Sequence, residues 1–177
     1  MNCRFVVTGG PGGGKTTILE ALQERGYQVV AETARRIIRD RVAAALSPRP
    51  EPASFAQDIL RSDIEKYQST ADREAPIFFD RGVLDALYML DAADALTSAE
   101  IEQYVQAFPY NRVAFILPPW RDIYVSDSER DQSFEESVSV YEGMKAWYSR
   151  WGYEIVEVPH DHVDGRVSFI LSCMNTS

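Results

Sequence analysis

A handful of residues sit at spacings suited to handling a polyphosphate. Gly9, Gly14, Lys15 and Thr16 occupy the fixed positions of G-x-x-x-x-G-K-[ST] within Gly9-Gly10-Pro11-Gly12-Gly13-Gly14-Lys15-Thr16-Thr17. A loop that wraps phosphates with its own N–H groups needs residues without Cβ, and it must open a helix whose N-terminal dipole favours an anion. Lys15 is then expected on the β- and γ-phosphates of a nucleoside triphosphate, with the Thr16 hydroxyl on Mg²⁺. A glycine-rich turn that merely contains Lys-Thr is the bland alternative. It does not require what flanks this one, an apolar strand from Arg4 to Thr8 and the helical pattern Ile18-Leu19-Glu20-Ala21-Leu22.

Other residues fall where chemistry could follow. Asp80 ends the apolar run Ile77-Phe78-Phe79, the position from which phosphate-loop enzymes hold Mg²⁺ directly or through water. The next residues are Arg81 and Gly82, where a mechanical ATPase would place a glutamate to activate water. Glu32 leaves the second strand with Arg35 one helical turn later: a carboxylate to orient an acceptor hydroxyl and a guanidinium to hold the transferred group, or a surface ion pair. Gln57, beside Phe55, offers an amide for reading a base, against the plainer reading of a solvated side chain. Between Trp120 and Arg130 a charged, over-long connection reads as a lid whose Arg121 and Arg130 close on phosphates, or as an exposed polar loop. His160 and His162 lack a third metal ligand, so the segment Pro159-His160-Asp161 is expected beside the nucleotide base. Tyr141, Trp147, Tyr148 and Trp151 are expected in the core.

The elements that must position these residues alternate. Strands are expected at Arg4 to Thr8, Tyr27 to Ala31, Ile77 to Asp80, Val113 to Leu117 and Glu154 to Val158, each followed by helix. Gly26 and Gly152 suit helix C-termini; Thr97 with Glu100, and Ser133 with Glu136, spell capping boxes; Ser54 reads as the N-cap of a long helix from Phe55. Such an order builds an α/β fold on a five-stranded parallel sheet, with ligands at the carboxyl ends of the strands. The 177 residues fit one domain with a short lid at about 119–133.

Composition narrows the partners. Lys and Arg number 18 against 27 Asp and Glu, a net charge of −9, which argues against nucleic acid or an anionic membrane surface. No apolar run reaches the length of a membrane span, and the first strand begins almost at once, leaving no room for a signal peptide. Cys3 and Cys173 are expected as buried, reduced thiols, consistent with a cytoplasmic protein.

Taken together, the loop Gly9–Thr17, Glu32-Thr33-Ala34-Arg35, Phe79-Asp80-Arg81-Gly82 with Asp85, Pro119-Trp120 with Asp127 and Arg130, and Gly152-Tyr153-Glu154 before Pro159 resemble the AAA-type ATP-binding domain family of NadR-like kinases. Members include a ribosylnicotinamide kinase domain and an animal GTP-binding protein. The resemblance implies a P-loop NTPase α/β/α sandwich with strand order 2-3-1-4-5, and a kinase that uses ATP (or GTP) and Mg²⁺ on a small-molecule acceptor. The ordering is also similar to that of deoxynucleoside kinases, which implies Glu32 as base, Gln57 as base reader, and Asp80 with Arg81 as the acid–Arg pair. Glu32, Arg35, Gln57, Arg81 and Asp85 are then the acceptor-site residues, and Lys15, Glu32, Asp80, Arg81 and Arg130 the catalytic ones. The absence of N-K-x-D favours ATP over GTP. The animal relative suggests the alternative of a nucleotide-switched binding module acting through a protein or phosphoinositide.

Overall fold

Period-two burial along the strands decides the layering. In the computed structural model, which describes residues 2–47, 50–71, 74–124 and 133–174, the strands are β1 (Arg4–Thr8), β2 (Gln28–Val30), β3 (Ile77–Asp80), β4 (Val113–Ile116) and β5 (Glu154–Glu157). Val6, Ile77, Phe79, Ala114 and Ile116 enter one core, while Phe5, Val7, Phe78, Val113 and Phe115 enter another on the opposite face. A strand buried on both faces has no polar side to show, which is why these segments read as unbroken apolar runs.

Helices cover both faces. They are α1 (Lys15–Glu24), α2 (Thr33–Ala43), α3 (Pro52–Gln68), α4 (Val83–Ala92), α5 (Ser98–Ala107), α6 (Phe134–Arg150) and α7 (Val163–Met174). Ile18 and Leu22 of α1 with Val167 and Ile170 of α7 close the Phe5 side. Ile59 of α3, Leu84 and Leu87 of α4, Ile101 of α5 and Trp147 of α6 close the Val6 side. Each such side chain, fully buried, contributes about 1.5–3 kcal/mol. All strand pairs are parallel, in the order β2-β3-β1-β4-β5. This is the α/β P-loop NTPase fold, a three-layer sandwich with β1 at its centre.

Caps appear where the residues spelled them. Thr97 accepts from the Glu100 N–H at 3.3 Å and Ser133 from the Glu136 N–H at 3.1 Å. Tyr141, Trp147 and Tyr148 are buried, and Trp151 packs against the same core.

Some expectations are corrected. The long helix begins at Pro52, not after a Ser54 cap, because the Glu51 carboxylate accepts from Ala53 N at 2.9 Å and Ser54 N at 2.8 Å. Proline at the first helical position has no N–H to satisfy, so it suits this start. α2 ends at Ala43, where Ala45 turns left-handed at φ 54° and the Leu46 N–H returns to Arg41 O at 2.9 Å. Cys3 and Cys173 are half-buried, not buried. Among the described residues no helix is long and apolar enough to cross a membrane.

Two glycines separate local strain from packing. Gly9 has φ +130°, and a Cβ there would lie 2.6 Å from Leu117 O; Gly26 has φ +88° with nothing within 4 Å. Gly9→Ala is therefore expected to cost about 3 kcal/mol or more, and Gly26→Ala only about 1–2 kcal/mol. Urea unfolding would show this as a larger fall in midpoint for Gly9→Ala, with unchanged slope for both.

Candidate active site

The chain leaves central β1 at Thr8 and enters the phosphate loop at the carboxyl edge of the sheet, where ligands of such folds bind. A cavity of about 1020 Å³ runs along the loop from Gly10 to Ile18, bounded also by Glu32, Arg81, Trp120 and Arg166. The N-terminus of α1 has no side-chain cap and no acidic residue in its first turn. Its free N–H groups and dipole suit an anion. Lys15 is 8% exposed, and its ammonium pairs with the Asp80 carboxylate at the end of β3. Thr16 and Thr17 line the same cavity. Among the described residues no cluster of three or more His, Cys, Asp or Glu could hold a metal by itself. A threonine hydroxyl and a carboxylate are donors of the kind Mg²⁺ takes, with phosphate and water completing its shell, but Asp80 is engaged by Lys15 and, unlike Thr16, does not line this cavity.

Glu32, the N-cap residue of α2, receives two guanidinium groups. Arg81 Nε donates to Oε1 at 3.0 Å and Arg35 Nε pairs with Oε2 at 3.0 Å. Burial works to raise the Glu32 pKa, but the charges of Arg81, Lys15 and Arg35 outweigh it and hold the carboxyl below its ordinary value. Burial likewise opposes the charge of Arg81, and the carboxylates of Glu32, Asp85 and Asp80 win, holding the guanidinium above its ordinary value. Arg81 follows β3 with φ 65°, a left-handed conformation uncommon outside glycine. Its N–H is held by Val7 O at 3.0 Å.

Asp85 explains how Arg81 is aimed. Buried at 5% exposure, it accepts from Thr8 Oγ1 at 2.6 Å, Tyr148 OH at 2.7 Å and Gly82 N at 3.0 Å, and pairs with Arg81 at 3.4 Å. Burial first, and then the Asp85 charge, push the Tyr148 hydroxyl well above its ordinary pKa, so it stays a donor.

A second cavity, of about 310 Å³, lies against the same wall: Pro11, Glu32, Ala34 and Arg81 line both. Its polar lining adds Thr33, Asp63 and Asp85, and its apolar lining includes Ile59, Tyr88, Met89 and Met144. Asp63 is 7% exposed and accepts from the Thr33 hydroxyl, with Lys66 Nζ 3.9 Å away. Burial raises its pKa to about 6, helped by Asp85 and Glu32 and opposed by Thr33 and Lys66.

Not every expected residue converges here. Gln57 is exposed and lines neither cavity, since α3 turns Ala56, Ile59 and Leu60 inward. Arg121, in a single 3-10 turn at Arg121–Ile123, lies 4.2 Å from the Phe134 ring and 3.2 Å from Glu135, and lines neither cavity. Arg130 and Asp127 are outside the described residues. His160 stacks on Trp120 with centroids 4.9 Å apart, while its neighbours Asp161 and His162 line the larger cavity.

Two residues escaped the sequence reading. Arg166 of α7 is 2% exposed and donates to Gly13 O at 2.8 Å, bracing the phosphate loop from the opposite helix layer. Its spacing of one helical turn from Ile170 already put it on the buried face. Asp63 lies one helical turn from both Ile59 and Tyr67, a carboxylate on the apolar face of α3.

Residues 4–166 match the family model described as AAA domain. A comparison with curated proteins finds no match. Among solved structures, the chain is similar to deoxyadenosine kinase from M. mycoides with bound dATP, at TM-score 0.67 and 13% identity over 98% of this chain and 100% of that one. Thymidylate kinase from Ehrlichia chaffeensis gives TM-score 0.63 and 14% identity over 99% of each chain. The NadR protein in complex with NR gives 0.66 and 17% over 98% of this chain, which spans 51% of that one.

The raised Asp63 carboxyl has a consequence for stability. Its ordinary value is 3.8, so between there and about 6 the native state holds a proton that the unfolded chain has lost. Stability contributed at this position therefore falls as pH rises through that window, by up to about 3 kcal/mol. Asp63→Asn does not titrate. Denaturant unfolding at pH 4 and pH 7 is expected to show the variant gaining on wild type at the higher pH; a pH-independent difference would contradict the shift.

Proposed function

The chain belongs to the AAA domain family, and from that premise we propose that it is a small-molecule kinase, transferring a phosphoryl group from Mg-ATP to a hydroxyl of a nucleoside-like or riboside acceptor. One observation carries the reading: Glu32 and Arg81, joined at 3.0 Å, form a wall common to the cavity on the phosphate loop and the smaller cavity beside it. A hydrolase needs one nucleotide site and a water. A kinase needs two adjoining sites with charged groups where they meet. The names of two of the similar solved structures, a deoxyadenosine kinase and the NadR protein in complex with NR, support the same class of acceptor.

In this reading the donor phosphates lie along Gly9 to Thr17 with Lys15 on the β- and γ-phosphates. Thr16 and Asp80 would hold Mg²⁺, which supplies charge neutralisation on the phosphate oxygens when bound. The acceptor oxygen attacks the γ-phosphorus as the bond to the bridging oxygen breaks, ADP departs, and the hydroxyl proton passes to Glu32. Held ionised by its arginines, Glu32 is a weak base, sufficient for a loose transition state in which the proton leaves late. Arg81 neutralises equatorial charge, and Asp85 keeps it aimed.

The smaller pocket suits an acceptor without its own phosphate. Its lining holds three carboxylates, Glu32, Asp63 and Asp85, and one guanidinium, Arg81, already engaged by Glu32 and Asp85. A phosphorylated acceptor would meet like charge with no spare cation, an arrangement that costs several kcal/mol.

The test is mass spectrometry of reactions of the protein with Mg-ATP or Mg-GTP and a panel of nucleosides, ribosides and mononucleotides. A product heavier by one phosphoryl group is expected from the unphosphorylated acceptors. Glu32→Gln and Arg81→Ala are expected to lose about 10³-fold or more in turnover while ATP affinity changes little. Wild-type turnover by either variant, or no product despite tight nucleotide binding, would refute the kinase and favour a nucleotide-switched module.

A further inference from the structure

We propose that Asp63 is a specificity-determining residue of the acceptor pocket, selecting acceptors that present a hydrogen-bond donor, an amine or amide N–H, to its second carboxylate oxygen. The inference rests on the reading of the 310 Å³ cavity as the acceptor site.

Three observations carry it. Oδ1 of Asp63 is taken by the Thr33 hydroxyl, and no protein group among the described residues donates to Oδ2. Oδ2 is also not sealed away: the buried side-chain atoms without partners are Trp151 Nε1 and Arg166 Nε alone among the described residues. A carboxylate that lines a cavity with one oxygen fixed and one reachable is an acceptor looking for a donor.

The carboxyl is also held still. Lys66 donates to Thr33 Oγ1 at 2.6 Å and Arg36 to Ser62 Oγ at 2.8 Å, while Ser62 lies 3.5 Å from Thr33, so the groups around Asp63 tie α2 to α3. A tie between two helices could be made by neutral side chains at less cost than a buried carboxylate. The charges about Asp63 are Lys66 on its own helix, Glu32 on α2 and Asp85 on α4, so carboxylates predominate. A donor or cation seated in the pocket would relieve both the burial and the repulsion. The apolar lining from Ile59, Tyr88, Met89 and Met144 leaves room for the ring that carries the donor.

The test is calorimetric binding to the full chain in the presence of Mg²⁺ and β,γ-imido-ATP, with ribosides that differ in one group. The pairs are adenosine against purine riboside, which lacks the amine, and a pyridine carboxamide riboside against its carboxylate. In each pair the donor-bearing member is expected to bind about tenfold tighter or more. Asp63→Asn keeps the shape but puts an NH₂ where an oxygen accepted; it is expected to erase the preference and improve binding of the carboxylate riboside. Asp63→Glu, which keeps the charge, is expected to retain the preference.

Equal affinities within both pairs, or a preference that survives Asp63→Asn, would overturn the proposal. So would a uniform weakening of every acceptor, the mark of a merely structural residue. Selective binding without phosphorylation would uphold the pocket's specificity and refute the kinase; phosphorylation without selectivity would do the reverse. No riboside binding beside bound nucleotide analogue would overturn both.

Discussion

The guanidinium of Arg81 sits between the carboxylates of Glu32 and Asp85, and the carboxyl edge of the sheet depends on that bridge. Glu32 opens α2 and Asp85 lies in the first turn of α4, so a single side chain joins two helix starts across the ends of β2 and β3. Asp85 in turn is anchored to β1 through Thr8 and to α6 through Tyr148. The half-buried arginine can carry its charge because the carboxylates around it outweigh the penalty of burial. Breaking such a network by removing one partner leaves an uncompensated charge, which is why its members stand or fall together.

That bridge is also a partition. On one side the uncapped start of α1 and Lys15 favour anions, and on the other the pocket carries more carboxylate than cation. An acidic chain, with a net charge of −9, thus concentrates its anion affinity at one loop and presents the opposite character a side chain away. The contrast gives the two adjoining cavities opposite electrostatic character.

Arg166 and Arg81 brace this edge from opposite layers. Arg166 reaches through from α7 to hold Gly13 O, and Arg81 is held from the side of α2 and α4. The phosphate loop is therefore fixed by the packing of both faces of the sheet as well as by its own backbone. The two cores are functional in this sense: they set where the guanidinium groups emerge.

What the sequence determined by itself was whatever depends on near neighbours. The phosphate loop, the buried strands and the capping boxes at Thr97 and Ser133 are written in consecutive residues, because a turn, a pleat or a cap is decided within a few positions. The family resemblance rests on those same local motifs. Only the tertiary structure decided between competing options of similar local merit: Glu51 over Ser54 at the start of α3, and the solvent face for Gln57 while Asp63 took the buried one. It alone turned Arg121 toward Phe134 and Glu135 and brought Glu32 to Arg81 across 49 positions. The physical reason is that a pocket forms where distant elements pack, and the rotation of a helix by one residue, about 100°, moves a side chain from ligand to solvent without altering the pattern that announces the helix.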